Sequence, residues 1–152
     1  MGNYTGLRVK VTVKEEYRNM IKEINQDGSW FDFVDKYPFL NEYARLYRAE
    51  FIPRGAIAAY LPDDWEEPIT GFGASKYPMY KATDGFERHI DLNTGLWSFQ
   101  CSLKNENNEI EKFFEDVLCK IIESSDHIEY LYEAWKESVM YEFLDGKIIK
   151  RG

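Results

Sequence analysis

Glu87, His89 and Asp91 are the one place in the chain where chemically useful side chains line up by spacing. Residues two apart on a strand share a face, so a carboxylate, an imidazole and a second carboxylate would project side by side. Such a row could ligate a divalent metal, or supply a base with an orienting partner. A small metal-dependent enzyme using these three residues is therefore the alternative functional reading. A non-haem iron triad needs two histidines, however, and the only other is His127. The spacing also has a plainer cause. Phe86, Ile90 and Leu92 occupy the opposite face, and a strand that buries one face and wets the other alternates in this way without any chemistry. The solvated face is the preferred reading.

Other routes to chemistry are thinner. Cys101 and Cys119 have no CxxC spacing, and each lies in an apolar periodic stretch, which predicts two buried free thiols in a reducing compartment. No serine stands in a Gly-x-Ser-x-Gly elbow. The run Gly71-Phe72-Gly73-Ala74-Ser75-Lys76 lacks both the spacing of a phosphate loop and a preceding strand. No cofactor is implied.

Two stretches carry the marks of recognition instead. Asp63-Asp64-Trp65-Glu66-Glu67 sets a tryptophan among four carboxylates inside the irregular stretch 62–78. Tryptophan is a favoured interface anchor, and flanking acids steer a basic partner. In the second stretch, Tyr130, Tyr132, Trp135 and Tyr141 interleave with Glu129, Glu133, Glu137 and Glu142, which makes Tyr132 and Trp135 the other candidate partner contacts. Against these stand two structural readings: Trp65 folded back onto the domain, and an amphipathic strand with ordinary aromatic packing.

These candidates need elements to carry them. Leu7, Val9, Val11 and Val13 alternate with polar residues as a half-buried strand. Tyr17, Met20, Ile21 and Ile24 recur at helical spacing, and Asp27-Gly28 closes that helix. Ser29 can cap a short helix carrying Trp30 and Phe33. Residues 43–52 and 55–61 read as two strands turning at Pro53-Arg54-Gly55. Residues 86–92 and 97–103 form a hairpin on Asn93-Thr94-Gly95. In its second strand Trp97, Phe99, Cys101 and Leu103 face a dry side, and Ser98, Gln100 and Ser102 a wet one. A strong helix over 105–123 presents Ile110, Phe113, Phe114, Val117, Leu118, Ile121 and Ile122, with Asn108 and Glu111 fitting a capping box. A strand through Ile128, Tyr130 and Tyr132 follows. A last hairpin, 139–144 with 147–150, turns on Asp145-Gly146. Strands in runs with helices between them indicate an α+β fold: one domain over 1–152, its antiparallel sheet covered by helices, as a ferredoxin-like variant.

Composition narrows the function. The chain has 11 Tyr, 10 Phe and 4 Trp in 152 residues, with 27 carboxylates against 19 Lys and Arg. Of the net charge of −8, residues 61–152 carry −9 and the first sixty +1. Phosphate-backbone affinity comes from Lys and Arg displacing counterions, so nucleic acid is not expected as a partner. No apolar run approaches the roughly 18 residues of a membrane span, and no export signal opens the chain, so the expected place is the cytoplasm. In size, acidity, aromatic content and lack of a catalytic motif the chain resembles small bacterial immunity proteins and phage-encoded inhibitors as a class. This resemblance is one of bulk properties and carries no residues across. The leading expectation is an acidic cytoplasmic binding protein that sequesters or inhibits a basic protein. A homodimer joined at a sheet edge is a further expectation.

Overall fold

The N-terminal alternation builds the strand on which the rest is laid. The computed structural model describes residues 3–55, 66–68, 80–82 and 86–151. In chain order its elements are β1 (Tyr4–Val13), α1 (Arg18–Gln26), α2 (Asn41–Ala44), α3 (Phe51–Arg54), β2 (Glu66–Pro68), β3 (Tyr80–Ala82), β4 (His89–Ile90), β5 (Leu96–Lys104), α4 (109–121), β6 (Ile122–Tyr132), β7 (Val139–Leu144) and β8 (Lys147–Lys150). They make a single α+β domain: a six-stranded antiparallel sheet in the order β4-β5-β1-β6-β7-β8 with short helices packed on it. β2, inside the stretch 62–78 expected to be irregular, pairs with β3 just beyond it as a separate ribbon.

On one face of the sheet, Leu7, Val9 and Val11 stand beside Cys101, Phe99 and Trp97 of β5, and Ile128 of β6 stands beside Val9. All seven are fully buried. The helices cover this face. Trp97 donates its indole N–H to Asn25 of α1 at 3.0 Å, the Phe113 ring of α4 lies 6.4 Å from that indole, and Phe114 packs 4.9 Å from Tyr141 of β7. Asp145 and Gly146 close the last hairpin with φ of 51° and 76°, as a two-residue turn of this kind requires. Gly95 ends the β4–β5 connection at φ +86°, where a Cβ would come within 2.5 Å of the Val13 carbonyl oxygen.

The helix α4 keeps its stripe by widening. Its buried pairs Phe113/Phe114 and Val117/Leu118, and then Ile121, recur every four residues. In a regular α-helix four residues overshoot a full turn by about 40°, and the stripe would wind off the sheet. The segment Phe113–Leu118 is a π-helical turn instead, with α-helical Glu109–Lys112 before it and Cys119–Ile121 after it. The larger residue count per turn offsets the drift. Ile122 does not continue the helix as the sequence suggested; it starts β6 directly. The capping box is also corrected. Asn108 is left-handed at φ 62° and makes no cap bond. Asn105 accepts from the Ile110 N–H at 2.8 Å, and the buried carboxylate of Glu109 accepts from the N–H groups of Asn107 and Arg48 at 3.1 and 3.3 Å.

Residues 43–52 are not a strand. Leu40, Tyr43, Leu46, Ala49 and Ile52 are spaced by three, and the N–H groups of Leu46, Ala49 and Ile52 each bond the carbonyl three residues back at 3.0, 3.2 and 3.3 Å. Three residues per turn is the period of 3₁₀ geometry, and it points one residue per turn into the core. The Tyr43 hydroxyl then donates to the Ala49 carbonyl at 2.7 Å, so this buried phenol is satisfied locally. The second expected strand, 55–61, lies outside the described residues beyond Gly55.

The largest departure concerns the other face of the sheet. Ser98, Gln100 and Ser102 were expected in water, yet all three are buried, Ser102 to 2% and Gln100 to 5% exposure. Arg8, on the same face of β1, is equally covered. Alternation tells which side chains share a face and not whether that face is covered.

Candidate functional site

Three strands bring a polar network together on this second face. Arg8 of β1 pairs in register with Gln100 of β5 on one side and Glu129 of β6 on the other. One strand step along, Lys10 lies between Ser98 and His127. Arg8 donates from Nε to Gln100 Oε1 at 2.9 Å, and its guanidinium stands 3.9 Å from Glu129. His127 Nε2 bonds Glu129 Oε1 at 2.8 Å, while Ser138, just before β7, donates to Glu129 Oε2 at 2.6 Å. The Phe86 ring closes over this group. It lies 5.0 Å from the Arg8 guanidinium carbon, 4.5 Å from the Lys10 ammonium and 4.9 Å from the imidazole. Phe86 was expected beside Ile90 on the dry face. Instead only His89 and Ile90 pair with β5, and the chain crosses to the other side before them.

Hydrogen bonding decides what this network can do. Both oxygens of Glu129 are occupied. The His127 bond, the Ser138 hydroxyl and the nearby Arg8 hold its carboxyl below the ordinary glutamate value against the opposing effect of burial. Ser138 bonds the carboxylate and not the imidazole, so nucleophile and base do not face each other as covalent catalysis requires. The network ties β1, β5, β6 and the start of β7 together. One donor in it is left over: Gln100 Nε2 is buried and has no hydrogen-bond partner among the described residues.

The sequence-derived metal row is not assembled. Glu87 and His89 are exposed, and Asp91 serves its own turn by accepting from the N–H groups of Asn93 and Thr94 at 2.8 and 3.2 Å. These bonds also lower the Asp91 pKa. His89 shares a sheet row with Ser98, Lys10 and His127. Three strand spacings, about 14 Å, therefore separate the two histidines, too far to share an ion. Among the described residues no group of three or more His, Cys, Asp or Glu side chains is arranged to hold a metal. Cys101 is buried and Cys119 half-buried. Burial raises the Cys119 pKa, and its thiol donates to the Glu115 carbonyl at 3.0 Å, so it is a poor thiolate.

Of the recognition candidates, Asp63, Asp64 and Trp65 lie outside the described residues, while Glu66 and Glu67 belong to β2. Tyr132 and Trp135 come together at the end of β6. The Trp135 ring is 5.7 Å from Tyr132 and 5.8 Å from Tyr130, and it remains 47% exposed. Behind it the rings step inward, Tyr130 to Tyr141 at 6.0 Å and Tyr141 to Phe114 at 4.9 Å. Tyr132 is held from the other side by Asn3, whose amide donates to its hydroxyl. Glu111 accepts from the Tyr130 hydroxyl at 2.9 Å and from Asn105 at 2.8 Å. Burial and then this carboxylate push the Tyr130 phenol pKa well above its ordinary value. The result is a braced ladder of rings ending in an exposed indole, with Glu133 and Glu137 on either side of it in sequence. Glu133 is fixed by accepting from the Tyr4 N–H.

Sequence reasoning missed Arg8, Gln100, His127, Glu129 and Ser138 as a group. A signal was present: His127 and Glu129 are two apart on a strand, the same logic that singled out Glu87, His89 and Asp91. Among the described residues no helix is long and apolar enough to cross a membrane. No protein-family model matches this chain, and neither the curated proteins nor the solved structures searched contain a significant match to it.

Proposed function

We propose that this chain is a non-enzymatic cytoplasmic binding protein that captures a basic protein partner and sequesters or inhibits it, in the manner of an immunity protein or inhibitor. The observation that carries the reading is the exposed Trp135, braced by Tyr132 and Tyr130 and flanked by carboxylates, on a chain of net charge −8. An indole that is rigid before binding loses little conformational freedom on contact, which is the property of interface anchors. The surrounding negative charge supplies steering toward a cationic surface. A finer architectural reading, a ferredoxin-like variant, is supported by two crossings. β1 reaches β4 through α1 with β5 between them, and β5 reaches β6 through α4 with β1 between them; the hairpin β7–β8 would then extend one edge. That likeness of topology carries no function by itself.

The test begins with affinity capture from the native host, followed by measured binding of the captured protein. The expected partner is basic, and its association slows as salt rises. Trp135→Ala should weaken binding by about 2 kcal/mol, mainly through faster dissociation. Glu137→Lys should slow association, most at low salt. Trp65→Ala is the parallel test for the acidic stretch 63–67. A partner that binds equally well to the Trp135→Ala and Trp65→Ala chains and is indifferent to salt would sink the reading.

A further inference from the structure

A surface of opposite charge character lies at the same end of the sheet as Tyr132. It is an open hollow of about 410 Å³ lined by Tyr4, Tyr47, Arg48, Phe51 and Lys104. Its walls come from three places: the first residue of β1, the last of β5 and the 3₁₀ turns leading into α3. Tyr4 and Lys104 are register partners, and the Arg48 backbone is held by the buried Glu109, so the hollow is formed without a ligand. Tyr47 is 82% and Phe51 47% exposed. The Arg48 guanidinium lies 4.8 Å over the Tyr47 ring and the Lys104 ammonium 5.8 Å over the Tyr4 ring. On a chain of net charge −8, the lining among the described residues holds two cations, three rings and no carboxylate side chain. Three acids meet its lining residues from outside: Glu106 pairs with Arg48 at 3.1 Å, and Glu109 and Glu133 accept from the backbone N–H groups of Arg48 and Tyr4.

We propose that this hollow is a binding site for a small anion carried on a flat ring, the shared chemistry of a nucleoside monophosphate and an aromatic carboxylate. The volume falls within the range of small-molecule sites, about 300–1,000 Å³, and a bare inorganic anion would leave it mostly empty. The rings of Tyr47 and Phe51 offer faces for the flat body, and Arg48 with Lys104 meets the charge. The Arg48 side chain is mostly covered and Glu106 half-exposed, so an incoming anion competes with Glu106 for the guanidinium and would take its place with the charge on Arg48 still matched. Arg48 can also accept a carboxylate or phosphate in a two-point contact while resting on Tyr47.

The experiment is calorimetric titration of the full chain with adenosine monophosphate and with indole-3-acetate, set against adenosine, indole-3-acetamide and inorganic phosphate. At least one ring-bearing anion should bind saturably with Kd of about 1 mM or tighter. Its neutral counterpart and phosphate alone should each bind about ten-fold more weakly or not at all. Which of the two anions binds identifies the source chemistry. Arg48→Gln with Lys104→Gln should weaken binding at least about ten-fold, and Tyr47→Ser, at an exposed ring, should weaken it without altering the fold. Glu106→Gln should tighten it by releasing Arg48 from its competitor. No saturable binding by either anion, equal binding of the neutral counterparts or of phosphate, or binding untouched by Tyr47→Ser and Glu106→Gln overturns the proposal.

Discussion

The two faces of the central sheet are both buried, but different physics holds each. On the helix-covered face, Val9, Phe99, Ile128 and the α4 stripe exclude water through apolar area alone. On the other face Arg8 and Gln100 are buried, Glu129 and His127 are partly covered, and these polar groups are accommodated by bonding one another. Two charges about 4 Å apart attract by roughly 4 kcal/mol at an effective dielectric near 20, and desolvating them costs several kcal/mol for each ion. The penalty for two ions matches or exceeds the gain from their attraction, so the polar face contributes register and orientation more than stability. The apolar face supplies the stability. This contrast orders the expected effects of substitution.

The largest loss should come from the apolar face. Phe113→Ala removes a ring packed 5.8, 5.6 and 6.4 Å from those of Trp30, Tyr43 and Trp97, and should cost about 3–5 kcal/mol in denaturant unfolding. A loss under about 1 kcal/mol would mean that this face is not the main source of stability.

The polar face should show strong coupling instead of a large sum. Arg8→Met and Glu129→Leu each remove one side of the ion pair and leave the other charge with only its remaining hydrogen bonds, and each should cost about 1–3 kcal/mol. The double variant should cost no more than either single change, since neither charge then remains. Additive losses would place the network among independent stabilising contacts and erase the distinction between the faces.

How much of this contrast was legible beforehand follows from what periodicity encodes. The strands β1, β5, β7 and β8 and the helix α1 were readable because a period of two or 3.6 records which side chains share a side. It does not record whether the second side is covered, so Ser98, Gln100 and Ser102 were misjudged as wet. Phe86 was misassigned because β4 pairs at only two residues and the alternation was carried past the point where pairing stops. The aromatic and aliphatic content of 43–52 suits a strand, while its spacing of three is the feature that records the turns it forms. The Trp135 ladder was half legible: Tyr132 and Trp135 were named together, but their bracing by Tyr130, Glu111 and Asn105 depends on α4 lying beside β6. Such long-range placement has no local signature.

A smaller effect distinguishes the faces by pH. Glu129 has a depressed folded-state pKa, so its contribution is fully present above the unfolded glutamate value of about 4.3 and is lost as pH falls through the lower folded value. Stability of the wild type should therefore decline over that acid window. Glu129→Gln should flatten the decline while lowering the plateau above it. An unchanged acid limb in Glu129→Gln would show that other carboxylates govern it.

The smallest expected stability change is at the edge of the apolar side, where the aromatic ladder reaches solvent. Trp135 follows β6 in a turn held by its own N–H bond to the Tyr132 carbonyl at 2.8 Å, which any side chain leaves intact. About half the ring is already in water, so truncation forfeits only its edge contacts with Tyr130 and Tyr132, each worth about 0.5–1.5 kcal/mol when well formed and less when wet. Trp135→Ala should therefore cost about 1 kcal/mol or less, well below Phe113→Ala on the same side of the sheet. Comparing the two by chemical denaturation separates a ring kept for folding from one kept for contact. A loss near that of Phe113→Ala would make Trp135 an extension of the core, and the anchor of the proposed interface would have to be sought in the acidic stretch around Trp65.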